Sequence, residues 1–144
     1  MLPISNRVVE LIGYEDMSAD QCDIHQSILR FCGWYHEAKK CIYVALAKKP
    51  EKAHTRGLLH VGLAKIYQHE GRWRNAEAEV FAARIAAREA EKQDARQAAR
   101  IYRHCADIMD FVEQGNPISG SELRRKAYEL AQAAGAQDQL LKSQ

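Results

Sequence analysis

Arginine, histidine and cysteine are the residue types in this chain best equipped for chemistry, and their spacing limits what they can do. Arg96, Arg100 and Arg103 fall at i, i+4 and i+7, so on a helix they form one stripe and present their guanidinium groups together. Guanidinium forks grip carboxylates bidentately, which makes an acidic protein segment the matching ligand; a solvated helix face is the plain alternative. His104 and Cys105 are adjacent, but neighbours on a helix point about 100° apart and do not form a pair of nucleophile and base. Cys105 therefore reads as a core residue and His104 as a surface one. Cys22 and His25 share a face at i and i+3, and Cys32 and His36 flank Gly33, yet the regular ligand spacing of a zinc module is missing and no metal is expected. The four cysteines, Cys22, Cys32, Cys41 and Cys105, form no CxxC and read as reduced thiols that pack like small apolar residues. There is no glycine-rich phosphate loop, no Ser/His/Asp arrangement and no carboxylate pair in a recognisable setting. The expectation is a binding protein without catalysis or cofactor.

These side chains need a scaffold, and the composition supplies one. The chain has 144 residues, 47% hydrophobic and 28% charged, which suits a single domain with a buried core. Its 21 Lys and Arg against 19 Asp and Glu leave a formal charge of +2, too small to argue for nucleic acid or a membrane surface. The longest apolar run, "CIYVALA" at residues 41 to 47, is far short of the ~20 residues a membrane span needs, and the opening "MLPISNRVVELIG" lacks a secretory pattern. The expected location is the cytoplasm.

Proline and glycine are scarce and fall where helices would end, while alternating strand patterns are absent, so the expected class is all-α with about seven helices. Ser5 caps a short first helix over residues 5–13, and Ser18 with Gln21 makes a capping box for a second that runs to Cys32. A third helix spans about residues 35–49 and meets Pro50, a fourth about 51–70 and meets Gly71, and a fifth about 73–92. Asp94 with Gln97 restarts the chain as a sixth. "QGNPISGS" at residues 114–121 is the one clear loop; a seventh helix covers about 121–134, Gly135 closes it, and 135–144 is a tail.

The chain also repeats itself. "GWYHEAKKCIYVALAKKP" from Gly33 and "GRWRNAEAEVFAAR" from Gly71 align without a gap at an offset of 38 residues, pairing Tyr35 with Trp73, Ala38 with Ala76, Ile42 with Val80 and Ala45 with Ala83. "LAKIY" at residues 63–67 returns as "AARIY" at 98–102, pairing Ala64 with Ala99 and Tyr67 with Tyr102. Small residues on one helical face let a neighbouring helix approach closely, so the repeated positions read as a packing face. Leu63, Ala64, Tyr67, Ala76, Val80 and Ala83 in one unit, and Ala38, Ile42, Ala45 and Pro50 in another, resemble the tetratricopeptide repeat, a helix-turn-helix with the pattern W-x2-L-G-x2-Y, then A-x3-F, then an alanine and a proline. An ordinary helical bundle in which the alanines merely pack is the alternative.

The resemblance implies one domain over residues 1–144, with repeats at about 19–50, 51–92 and 94–134 behind the short N-terminal helix. It implies a right-handed superhelical stack of antiparallel helix pairs, an α-solenoid whose leading helices line a concave groove for a peptide or helix of another protein. Carried over from Tyr67 and Tyr102, the groove positions are Leu58, Val61, Lys65, Gln68 and His69, then Arg96, Arg100, Arg103 and His104, with Asp20, Asp23, Ser27 and Arg30 on the first unit's strip. Such a groove suits an acidic peptide or the acidic face of a partner helix, with Leu58 and Val61 offering apolar contact at one end. The family's lysine-and-asparagine clamp for acidic chaperone tails is not reproduced here. A non-enzymatic adaptor or scaffold is the expectation. A small chaperone for a secreted or assembling partner is the second reading; an RNA-binding repeat is disfavoured because the units share no pair of base-reading polar residues.

Overall fold

The computed structural model describes residues 13–110 and 120–143. Over them the chain forms six α-helices and, among the described residues, no strand: α1 (Ala19–Phe31), α2 (Tyr35–Ala47), α3 (Ala53–His69), α4 (Trp73–Ala90), α5 (Ala95–Met109) and α6 (Gly120–Ser143), with a short 3-10 turn at Tyr14–Asp16 in front. The helix expected over residues 5–13 and most of the loop expected at 114–121 lie outside the described residues; Gly120 and Ser121 open α6.

Local signals set most boundaries. Ser18 caps α1 through a full capping box, the Gln21 N–H donating to Ser18 Oγ at 3.1 Å and the Ser18 N–H to Gln21 Oε1 at 2.8 Å. At α5 the Gln97 N–H donates to Asp94 Oδ1 at 3.2 Å. The two aligned glycines close their helices in one and the same way. Gly33 (φ 82°) and Gly71 (φ 73°) are left-handed. In the first turn the Gly33 and Trp34 N–H groups donate to Arg30 and Leu29 carbonyls at 3.0 and 2.8 Å, and in the second the Gly71 and Arg72 N–H groups donate to Gln68 and Tyr67 at 3.0 and 2.9 Å. That is the Schellman closure, which needs a residue free to adopt positive φ. The residues that follow also match, Trp34 at φ −88°, ψ 63° and Arg72 at φ −93°, ψ 73°. The sequence repeat is thus a repeat of backbone geometry.

Gly135 behaves differently. The expected stop there does not occur, and α6 runs on to Ser143. A glycine ends a helix only when the next residues turn away with it; here Ala136 and Gln137 follow at once, both good helix formers, and apart from Asp138 the stretch to Leu141 is of the same kind, with no proline.

Each helix packs against the next, and α3 also lies against α1 and α5, so the three leading helices run side by side with α3 in the middle. Two large apolar cores result, beside a small cluster of Ala53, Ala90 and Ala98. Leu59, Leu63, Ile66 and Tyr67 of α3 join Cys22, Leu29, Cys41, Ile42 and Ala76 in one, while Leu58, Val61 and Ala64 join Val80, Ile101, Tyr102, Ile108 and Leu123 in the other. The repeated pairs Ala38/Ala76, Ile42/Val80, Ala45/Ala83, Ala64/Ala99 and Tyr67/Tyr102 are all buried. Two glycines let α3 sit this close to its neighbours. A Cβ on Gly57 would come within 2.6 Å of Ile101 Cδ1 on α5, and one on Gly62 within 2.7 Å of Gln26 Oε1 on α1. None of the described helices is long and apolar enough to cross a membrane.

Candidate functional site

The shared face of α1, α3 and α5 gathers polar side chains from all three. On α1, the Arg30 Nε–H donates to Gln26 Oε1 at 2.7 Å, and the Gln26 amide donates to Asp23 Oδ1 at 2.9 Å. Gln26 is itself buried against Gly62 of α3, so the absent side chain of a glycine leaves room for the glutamine that holds Arg30, one turn further along α1. From α3, Lys65 Nζ lies 3.0 Å from His104 Nδ1 on α5. An ammonium can only donate, so Nδ1 accepts and the neutral imidazole carries its proton on Nε2.

Each group feels the others' charge. Burial, then the positive charges of Lys65 and Arg100, push His104 down to about 4, with Arg30 adding to them and Asp107 opposing. Burial, helped by Arg30 and Arg100, lowers Lys65 as well. Asp23 is held above the usual carboxylate range by burial, against the pull of its Gln26 bond and of Arg100 and Arg30. Arg30, Lys65 and Arg100 make no ion pair among the described residues. The face is a cluster of hydrogen-bond donors with positive charge left over.

A pH dependence follows. The unfolded imidazole takes its proton near the ordinary 6.5, the folded one only near 4, so between these values the unfolded chain binds more protons. Stability from this group is complete above the unfolded value and is lost as pH falls toward the folded one. Discounted for partial exposure, the loss is about 1–2 kcal/mol. Buried His25, also lowered, adds a loss of the same sign, so the clean measurement compares urea midpoints of the parent and His104→Asn at about pH 7.5 and about pH 5. The parent should lose more stability than the variant; equal losses would remove His104 from this account.

The expected groove residues divide. Lys65, Arg100 and His104 come together as described. Arg96 is exposed in the first turn of α5, and exposed Arg103 lines a separate open cleft of ≈ 460 Å³ with Asp107, Arg124, Ala127, Tyr128 and Ala131. In that cleft Arg124 is already tied to Asp107 at 3.1 Å and to Asp110. The arginine stripe therefore serves two surfaces. Gln68 is half-buried, and exposed His69 stacks on Tyr35 of α2, ring centroids 4.0 Å apart. Leu58 and Val61 require a correction: at 8% and 3% exposure they belong to the second core and offer a ligand almost nothing. The reason is that α3 is covered on both sides, so a strip that would be surface on an outer helix is interior here. Asp20 of the α1 strip is engaged too, accepting from Thr55 Oγ1 at 2.7 Å and Lys52 Nζ at 3.1 Å, bonds that hold its carboxyl below the usual range.

Gln26 is the residue that sequence reasoning missed. Its signal was a glutamine at a core position of a leading helix opposite a glycine, Gly62, on the next.

Among the described residues no group of three or more His, Cys, Asp or Glu is placed to hold a metal ion. Cys22, Cys41 and Cys105 are buried and Cys32 is exposed. Burial pushes the Cys105 thiol up to about 12, so beside neutral His104 it stays a thiol. No family model matches the chain, and neither a curated protein nor a solved structure shows significant similarity to it.

Proposed function

We propose that this chain is a non-enzymatic protein-binding module of the helical-repeat kind, a tetratricopeptide-like right-handed stack of helix pairs that holds an acidic peptide or the acidic face of a partner helix against α1, α3 and α5. The observation that carries the reading is the convergence of Arg30, Lys65 and Arg100 from three helices, without ion-pair partners among the described residues. Arg30 is held in place by Gln26 and Lys65 points at His104, so part of the ordering that binding demands has been met before a ligand arrives. The duplicated Gly33 and Gly71 turns and the side-by-side leading helices support the repeat architecture. Asp23 on this face, with Asp107 near enough to act on His104, disfavours a nucleic-acid backbone and favours a ligand whose carboxylates are discrete.

The test is a titration with an acidic peptide, labelled and read by fluorescence anisotropy, against the parent and Arg100→Glu at two salt concentrations. Because these contacts are partly solvated, affinity should fall as the Debye length shrinks from ~10 Å at 0.1 M salt. The charge reversal should weaken binding by about tenfold or more while leaving the melting curve almost unchanged, since Arg100 is exposed and contributes little to folding. Equal affinity in all four conditions would return the cluster to an ordinary solvated face.

A further inference from the structure

The outer face of α4 is built differently from the face above. Phe81 and Ile85, one helical turn apart, are 60% and 50% exposed and stand as an apolar ridge. Along the ridge run two open clefts that share Phe81 and Arg84: one of ≈ 360 Å³ reaching Arg74, Glu77, Met109 and Leu123, and one of ≈ 140 Å³ between Ile85, Arg88 and Tyr102. Arg84 lies in both, and its buried Nε–H makes no hydrogen bond among the described residues. Arg74, Arg84 and Arg88 also make no ion pair among them, and Glu77 is the one carboxylate among the described residues that line these two clefts.

We propose that this ridge and its clefts form a second docking surface, taking an amphipathic helix of another protein that seats large apolar side chains beside Phe81 and Ile85 and places a carboxylate on Arg84. Charge complementarity selects this occupant: among the described residues Arg74, Arg84 and Arg88 stand unpaired in the two clefts against Glu77, while Glu89 beside Ile85 is already paired with Arg56, and that balance calls for an apolar stripe flanked by acids. The surface shares no residue with the Arg30, Lys65 and Arg100 cluster, so it stands whether or not that cluster binds peptide. With both faces in use, one chain would hold two different partners at once.

The probe is a synthetic amphipathic peptide about four helical turns long, leucine and phenylalanine on one face and glutamate flanking it, with a twin in which lysine replaces every glutamate. Titrated against the full chain, the acidic peptide should bind and its twin should not. Phe81→Ser and Arg84→Met should each weaken binding by about tenfold, while Arg100→Glu should weaken it far less than either. Indifference to both α4 changes, equal binding of the twins, or no binding at all would overturn the proposal. So would sedimentation that shows the parent associating with itself through this face and Phe81→Ser abolishing the association, because the occupant would then be a second copy.

Discussion

Ala76→Asp is expected to leave the chain unfolded or nearly so at room temperature. Ala76 is 0% exposed, on the face of α4 that meets the first core, among Leu63, Tyr67 and Ala38. A carboxylate there would be cut off from water among apolar side chains, with Lys39 and Arg72 already engaged over the Tyr67 ring, at a cost of several kcal/mol, comparable to the ~5–15 kcal/mol that holds an ordinary domain together. Ala38, its counterpart in the repeat, is equally buried, so Ala38→Asp should do the same. Ala78→Asp is the control: two residues along the same helix and exposed, it should melt like the parent. Thermal melts followed by circular dichroism decide the matter, and a normal transition for Ala76→Asp would mean that α4 is wrongly registered.

The second large effect is expected at Gly62. Alanine or valine should raise helix propensity by about 0.5–1 kcal/mol over glycine, so a purely local argument predicts stabilisation. The packing argument points the other way: any Cβ there meets Gln26 Oε1 at 2.7 Å and Ile42 Cδ1 at 3.1 Å. Gln26 has little freedom to retreat, being buried and bonded to both Asp23 and Arg30. Gly62→Val adds two methyl groups to that contact, and overpacking of this kind costs about 1–3 kcal/mol, enough to outweigh the propensity gain. A lowered urea midpoint is the expected result. Binding of an acidic peptide should weaken as well, because displacing Gln26 releases Arg30; a variant that is more stable than the parent would show that α1 and α3 are not so close.

How much of this was legible in the residues depends on the range of the force involved. Ser18 with Gln21, Asp94 with Gln97, and the glycines at 33 and 71 act within a turn of helix, and the structure has them where local chemistry requires. The alanine register was readable because a repeat samples the same packing twice. Leu58 and Val61 were misread because their burial is decided by α5 and α6, elements distant in sequence that no local pattern around residue 60 announces. The division of the arginine stripe has the same origin: Arg100 and Arg103 share a helix face, and only the position of α6 decides that Arg103 looks into a different cleft. Gly135 shows that a helix stop is a property of several residues together.

The placement of α3 between two cores governs how the molecule comes together. Most of the packing joins helices adjacent in sequence, and contacts between nearby segments form quickly because short loops close at small entropic cost. Either core can begin to assemble from its own stretch of chain, yet both need α3, which supplies large side chains to each. Folding begun at one end thus presents the other with a helix already formed, and fraying at either end stops at α3. The middle of the chain is where two halves become one cooperative unit.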